Sequence, residues 1–252
     1  MTTGRLLLVP NTLDLGAEAV PLAEVLPTGV LRQAAALLHW VAEDARSARA
    51  LLKRVSAIEP LAAPLQELHI EELPRPRKGS REPVPPAAWQ ALLRPALQGH
   101  DIGLVSEAGL PAVADPGAEL VAAAHAASIT VLPLAGASSL LLALAASGLN
   151  GQSFAFVGYL PQDAAARAQR IRELEALSRR QAQTQLVIET PYRNATLMQA
   201  LLATLAPATM LSVSCGLTLP GGFCHTRSVA AWREQPPVLP DKLPAVFAWL
   251  AR

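Results

Sequence analysis

With 252 residues, 51% of them hydrophobic and only 4% aromatic, the chain is long enough to bury a core unaided, and about one to two domains are expected. Charged residues make up 16% and balance to +1, so the composition indicates neither disorder by charge repulsion nor a polyanion-binding surface. Two cysteines, Cys215 and Cys224, are too few for a disulfide framework or a four-ligand zinc site, which implies a reducing, cytoplasmic setting.

The opening residues carry one arginine and an apolar run too short for an export signal. No stretch reaches 18 uninterrupted apolar residues, so no membrane span is expected. The longest apolar stretch, residues 131–149, is broken by Pro133, Gly136, Ser138, Ser139, Ser147 and Gly148, and reads as strand, turn and buried helix.

Short apolar runs alternate with longer Ala/Leu-rich segments, the pattern of an α/β protein whose strands are buried on both faces. In the first half, strands are predicted at residues 5–9, 65–70, 102–106 and 129–134. An amphipathic helix is predicted over residues 31–55, where Ala35, Leu38, Val41, Ala42 and Ala45 alternate with Glu43, Asp44, Arg46 and Arg49. A Pro-rich segment follows, with Arg75, Arg77, Lys78 and Arg81; it is a loop, read either as a phosphate-contacting arm or as a solvated charge run.

A second unit is predicted to begin at Asn150-Gly151, giving domains over residues 1–150 and 151–252. Its elements are a strand at residues 153–160 and a helix capped by Asp163. That helix has an apolar stripe through Ile171, Leu174 and Leu177 opposite Arg167, Arg170, Arg172 and Arg179. Strands at 185–189 and 210–217 flank a helix at 194–205, and a last strand is expected at 245–250.

Chemistry is expected where strands end in turns. The strand at 102–106 runs into Ser106-Glu107-Ala108-Gly109-Leu110-Pro111, which presents backbone amides and a carboxylate at the edge where α/β folds bind ligands. Gly109 permits positive φ or close approach of a ligand, and Asp115-Pro116-Gly117 launches the next helix with Asp115 as its cap. Residues 131–139 supply a second strand and a small-residue turn. Phe156-Val157-Gly158-Tyr159-Leu160-Pro161 and Glu189-Thr190-Pro191-Tyr192-Arg193 end two further strands, and four such edges suggest an interdomain cleft.

In order and spacing these four blocks resemble the tetrapyrrole methylase superfamily, and within it the small-subunit ribosomal RNA methyltransferase I group, which methylates a cytidine ribose. The family's Ser-Asp-Ala-Gly-Thr-Pro is similar to residues 106–111, its Ser-Asp-Pro-Gly to residues 114–117 and its Pro-Leu-Pro-Gly-Pro-Ser-Ala to residues 132–139. Its Glu-Asp-Thr-Arg is similar to Glu43-Asp44-Ala45-Arg46. The resemblance implies two α/β domains with S-adenosylmethionine in the cleft between them, a homodimer, no metal, and the ribosomal small subunit or its RNA as partner. Carried onto this chain, cofactor binding falls on Pro10, Ser106, Ala108, Gly109, Pro133, Gly136, Ser138, Ser139, Gly158, Tyr159, Thr190 and Pro191.

A ribose hydroxyl is a poor nucleophile near neutral pH, so the reaction needs a nearby base or a cation that favours the alkoxide. The candidates are Glu107, as base or as cap of the following turn, and Glu189 with Arg193, as a cleft pair or a buried structural ion pair. Tyr159 is placed to stack on a base or adenine, or to sit at an interface, while His225 reads as a partly buried histidine. The sequence departs from the family pattern at the opening loop, Val9-Pro10-Asn11-Thr12-Leu13, which lacks a glycine. It departs again where an Arg-Glu-Leu-Thr-Lys block is replaced by residues 214–219. A non-catalytic cofactor-binding scaffold and a porphyrinoid methyltransferase are the competing readings.

Overall fold

Alternate residues of the short strands in the first half of the chain feed two different cores, and that alternation builds the first unit. The computed structural model describes residues 2–14, 20–76, 82–240 and 242–251. In it β1 (Arg5–Leu8), β2 (His39–Ala42), β3 (His69–Glu72), β4 (Ile102–Val105) and β5 (Thr130–Pro133) form a wholly parallel sheet in the order β3-β2-β4-β1-β5. Leu7, Trp40, Ala42 and Val105 share a core with α2 (Thr28–Ala35) and α3 (Ala45–Ser56), which follow the short α1 (Leu22–Val25). Leu6, Val41, Ile102 and Leu104 pack instead with α4 (Pro86–Leu92), α5 (Arg94–Leu97) and α6 (Ala118–Ala126). Both faces are thus covered, as a parallel sheet requires, and each large aliphatic side chain so buried contributes about 1.5–3 kcal/mol.

The single helix expected over residues 31–55 is corrected to helix, strand, helix. His39-Trp40-Val41-Ala42 satisfies a helical period, but its backbone groups pair with β3 on one side and β4 on the other, and that ladder overrides the local pattern. The strand expected at 65–70 starts later, because a 3-10 turn at Leu65–Glu67 follows Pro64 and β3 begins only at His69. Of the basic loop, Arg75 donates to the Glu43 carbonyl at 3.0 Å, whereas Arg77, Lys78 and Arg81 lie outside the described residues.

The second unit comprises α7 (Ser139–Ser147), β6 (Phe154–Phe156), α8 (Ala164–Gln181), β7 (Thr184–Glu189), α9 (Asn194–Thr204), β8 (Met210–Cys215), β9 (Phe223–Ser228), α10 (Val229–Glu234) and β10 (Ala245–Leu250). Its sheet has the order β6-β7-β10-β8-β9, with β6 parallel to β7 and the other pairs antiparallel. Phe247 and Trp249 of β10 face α8, α9 and α10, while Val246 and Ala248 face Leu140, Ala143 and Leu144 of α7. Because α7 packs on this sheet, the two compact units divide between Ala137 and Ser138, upstream of the Asn150-Gly151 turn.

Asp163 caps α8 by accepting from the Ala166 amide at 2.8 Å. Arg167 is not on the wet face of that helix: it is buried, and its guanidinium donates to the Pro161 and Gln162 carbonyls. The strand expected at 153–160 shortens to β6. Neither β9 nor α10 is foreshadowed by the sequence pattern, since β9 alternates half-buried and exposed polar residues without an apolar run. No described helix is long and apolar enough to cross a membrane.

Candidate active site

In a doubly wound parallel sheet the strand ends at the carboxyl edge, not the strands themselves, present side chains to a ligand. Here the segment after β1 is the organising piece. The Asn11 amide donates to the Gly109 carbonyl at 2.8 Å, and Asn11 Nδ2 donates to the carbonyls of Ser106 and Glu107 at 3.1 and 3.0 Å. One buried asparagine therefore fixes the whole turn after β4, in a loop where the family pattern has a glycine. Gly109 sits at φ +68°, a left-handed conformation that a side chain strains. Gly136 makes room for Pro10, since a Cβ there would fall 2.2 Å from the Pro10 Cβ. Five of the expected cofactor residues, Pro10, Ser106, Ala108, Gly109 and Gly136, thus line this edge, and Pro133 ends β5 beside it, exposed.

The buried Ser106 hydroxyl has no hydrogen-bond partner in the protein, so a donor or acceptor from a bound molecule would complete it. Beside it stand three carboxylates. The Glu107 amide donates to Glu43 Oε2 at 3.2 Å. Partial desolvation raises the Glu107 carboxyl, helped by the charges of Glu43 and Asp44 and opposed by Arg75. Asp115 is pushed further, from 3.8 to about 7, by burial first and then by Glu43 and Glu107.

The expected capping role of Asp115 is corrected: Gly117 takes the N-cap position of α6, and no side chain caps that helix. Asp44, by contrast, caps α3 through the amides of Arg46 and Ser47. Among the described residues no group of three or more His, Cys, Asp or Glu side chains is placed to hold a metal ion.

In the second unit the predicted residues fall at the end of β7 and after β6. Gly158 has φ +74° with open space where a side chain would be, its carbonyl accepts from the Ile188 amide, and Tyr159 is 55% exposed. Glu189 is buried. Its Oε1 accepts from the Thr190 amide at 2.9 Å and from the Thr190 hydroxyl, and Oε2 lies 3.0 Å from Arg193 Nη2, close enough for an ion pair but off the hydrogen-bonding direction. The pair closes the turn that contains Pro191. Ser138 and Ser139 open α7, with no side-chain cap from Ser138. Residues 214–219, in place of the charged family block, end β8 at Cys215, whose thiol points to the Leu243 and Pro244 carbonyls. His225, expected to be partly buried, is exposed on β9.

Sequence reasoning missed three contributors. Asn11 carried a signal, an amide side chain directly after a strand-ending proline; Glu43 and Asp115 carried none beyond their motif positions.

The profile of the family described as Tetrapyrrole (Corrin/Porphyrin) Methylases matches residues 30–221. The chain is 40% identical over 102 residues to the Ribosomal RNA small subunit methyltransferase I of Halalkalibacterium halodurans, covering 40% of this chain and 34% of that protein. It is 37% identical over 125 residues to the protein of that name from Bacillus subtilis, covering 50% and 41%. The chain therefore spans about a third to two fifths of the length of these relatives. Among solved structures it resembles the uroporphyrin-III-C-methyltransferase of Thermus thermophilus, with TM-score 0.53 and 20% identity over 98% of this chain and 92% of that one. It likewise resembles the methyltransferase CobJ, with TM-score 0.56 and 16% identity over 97% and 94%. A further structure of the Thermus enzyme, with TM-score 0.52 and 18% identity over 98% and 97%, is complexed with S-adenosylhomocysteine. Likeness at these identities establishes the fold.

Proposed function

Since the chain belongs to the tetrapyrrole methylase family, we propose that it is an S-adenosylmethionine-dependent methyltransferase acting on a ribose 2′-hydroxyl of small-subunit ribosomal RNA. The observation that carries this reading is the carboxyl edge of the first sheet, where an orphaned buried hydroxyl, a left-handed glycine and three carboxylates meet. The residues fit the donor. Ser106 and the backbone of Ala108 and Gly109 suit its polar end, Pro10, Pro133 and Gly136 its apolar body, and the negative field of Glu43, Glu107 and Asp115 its positive charge. In the second unit Ser138, Ser139, Gly158, Tyr159, Thr190 and Pro191 complete the set we assign to it.

When bound, the donor supplies an electrophilic methyl group on a sulfonium. The chain must then position the hydroxyl and take its proton. Asp115 is the group we assign as base, because a carboxyl raised to about 7 combines useful basicity with a deprotonated form at neutral pH. Burial first, then Glu43 and Glu107, hold that carboxyl high, and Glu107 faces solvent, where it meets the acceptor. Glu189, turned toward Thr190, and Arg193, paired with Glu189, are positioning residues.

The relatives' name supports RNA as the acceptor. The free thiols Cys215 and Cys224 support a reducing compartment such as the cytoplasm. The homodimer implied by the family resemblance is checked by sedimentation. Calorimetry with S-adenosylmethionine and S-adenosylhomocysteine tests the donor site: saturable binding of about −8 kcal/mol, micromolar affinity, is expected. The acceptor is tested by methyl transfer to under-methylated small subunits. Absence of binding at millimolar ligand refutes the reading, binding without transfer to RNA leaves a scaffold, and transfer to a porphyrinoid reassigns the acceptor.

A further inference from the structure

Among the described strands β9 is the outer edge of the second sheet and pairs with β8 alone. Its alternation gives it two unlike faces. On one, Cys224 lies 3.4 Å from the Ser212 hydroxyl, Thr226 donates to the Ser147 carbonyl at 2.7 Å and Ser228 caps α10, so every side chain has a structural task. On the other, Phe223, His225 and Arg227 stand in a row.

The Phe223 and His225 rings are stacked, with centroids 5.3 Å apart and planes 21° from parallel. The Arg227 guanidinium lies 4.9 Å over the Trp232 ring and donates to Gln235 Oε1 at 3.2 Å. Trp232 is itself immobilised, 2% exposed with its indole N–H on the Leu211 carbonyl. With Val238, which is 92% exposed, these residues line an open groove of about 350 Å³. Among the described residues no side chain lining it is acidic. The chain has only four Phe and four Trp, and one of each lines this groove, the Trp beneath the Arg227 guanidinium.

We infer that this face is a stacking platform for the bases of single-stranded RNA. Phe223 backs the exposed His225 ring and so leaves that ring for a base to stack on, every base offers a π-face to such a ring, and a guanidinium at the end of the row answers the phosphate charge. A described lining with one guanidinium and no carboxylate suits a polyanion, in contrast to the acidic edge of the first sheet. The inference rests on RNA as the acceptor and adds a second RNA-binding surface, built from none of the residues assigned to the methyl donor.

The test is fluorescence anisotropy at low salt with a labelled single-stranded RNA of about ten nucleotides, within the reach of one such platform. His225→Ala, at an exposed position, weakens binding roughly five- to hundredfold, as expected for a lost base–ring contact, while His225→Tyr holds affinity within about threefold of wild type. The double variant Phe223→Ala with His225→Ala weakens it further, and donor affinity by calorimetry stays unchanged in all three, which certifies the fold. Affinity unchanged in His225→Ala, or lost equally in His225→Tyr, overturns the platform, as does a wild type that binds no RNA. Ring-dependent RNA binding in a protein that fails to bind the donor leaves the platform standing and removes only the methyltransferase.

Discussion

Asp115→Asn separates a buried charge from the fold that tolerates it. The carboxyl rises from 3.8 to about 7, through burial first and the charges of Glu43 and Glu107 second. At about 1.36 kcal/mol for each tenfold step in proton affinity, roughly three steps give a ceiling of about 4 kcal/mol. Asp115 is only partly buried, and solvent screening reduces this to about 1–2 kcal/mol. The native state keeps the proton up to about pH 7, whereas the unfolded chain releases it near pH 4. The stabilisation is therefore full below the lower value and lost as pH rises through the upper one.

An asparagine has no such slope. The variant is expected to exceed wild type by about 1–2 kcal/mol at pH 8, or about 2–8 °C in Tm, and by about a third of that at pH 5. Thermal unfolding followed by tryptophan fluorescence reads the transition, because Trp40 and Trp89 report on the first unit and Trp232 and Trp249 on the second. A stability gap equal at the two pH values, or a wild type more stable at pH 8, refutes the electrostatic account of this residue.

The same carboxyl gives methyl transfer a rate that rises about tenfold per pH unit below pH 7 and then levels; a profile flat from pH 5 to 8 excludes Asp115 as the base. Gly109→Val imposes a β-branched side chain on a backbone at φ +68° and brings its Cβ to 3.4 Å from Leu13, so calorimetry should show donor binding abolished, and unchanged affinity removes that turn from the site. Arg54→Met breaks a buried pair in which the guanidinium lies 3.1 Å from Asp14 Oδ2 and 2.9 Å from the Val20 carbonyl. Thr12 still donates to Asp14, so a loss of about 3 kcal/mol in urea unfolding is expected, and a loss under 1 kcal/mol counts against the pair.

What the sequence made legible was local. Residues 102–106 read as a strand because an apolar run ends in Glu-Ala-Gly-Leu-Pro, and turn chemistry alone flagged Gly109. Asp163 read as a cap because the hydrogen bond that makes it one spans three residues. The misreadings share the opposite property. Leu37 to Ala42 fits a helical face as well as a buried strand, and only pairing with β3 and β4 decides between them. β9 has no apolar run to announce it, and its pairing with β8 is a tertiary fact.

The candidate base was hidden by the same error that hid β2. The register of β2 on β4 sets Ala42 against Val105, so the residues that follow, Glu43 on one strand and Ser106-Glu107 on the other, must emerge side by side. The Glu107 amide then reaches Glu43 Oε2, and the two charges bear on Asp115 as it comes round from the next turn. Read as one long helix, residues 31–55 place Glu43 on a wet helical face with no link to Glu107 or Asp115, and Asp115 keeps the look of an ordinary cap ahead of Pro-Gly. Once β2 is a strand, a single register brings the carboxylates together. The acidity of this edge is thus a property of sheet order, and no window of the sequence contains it.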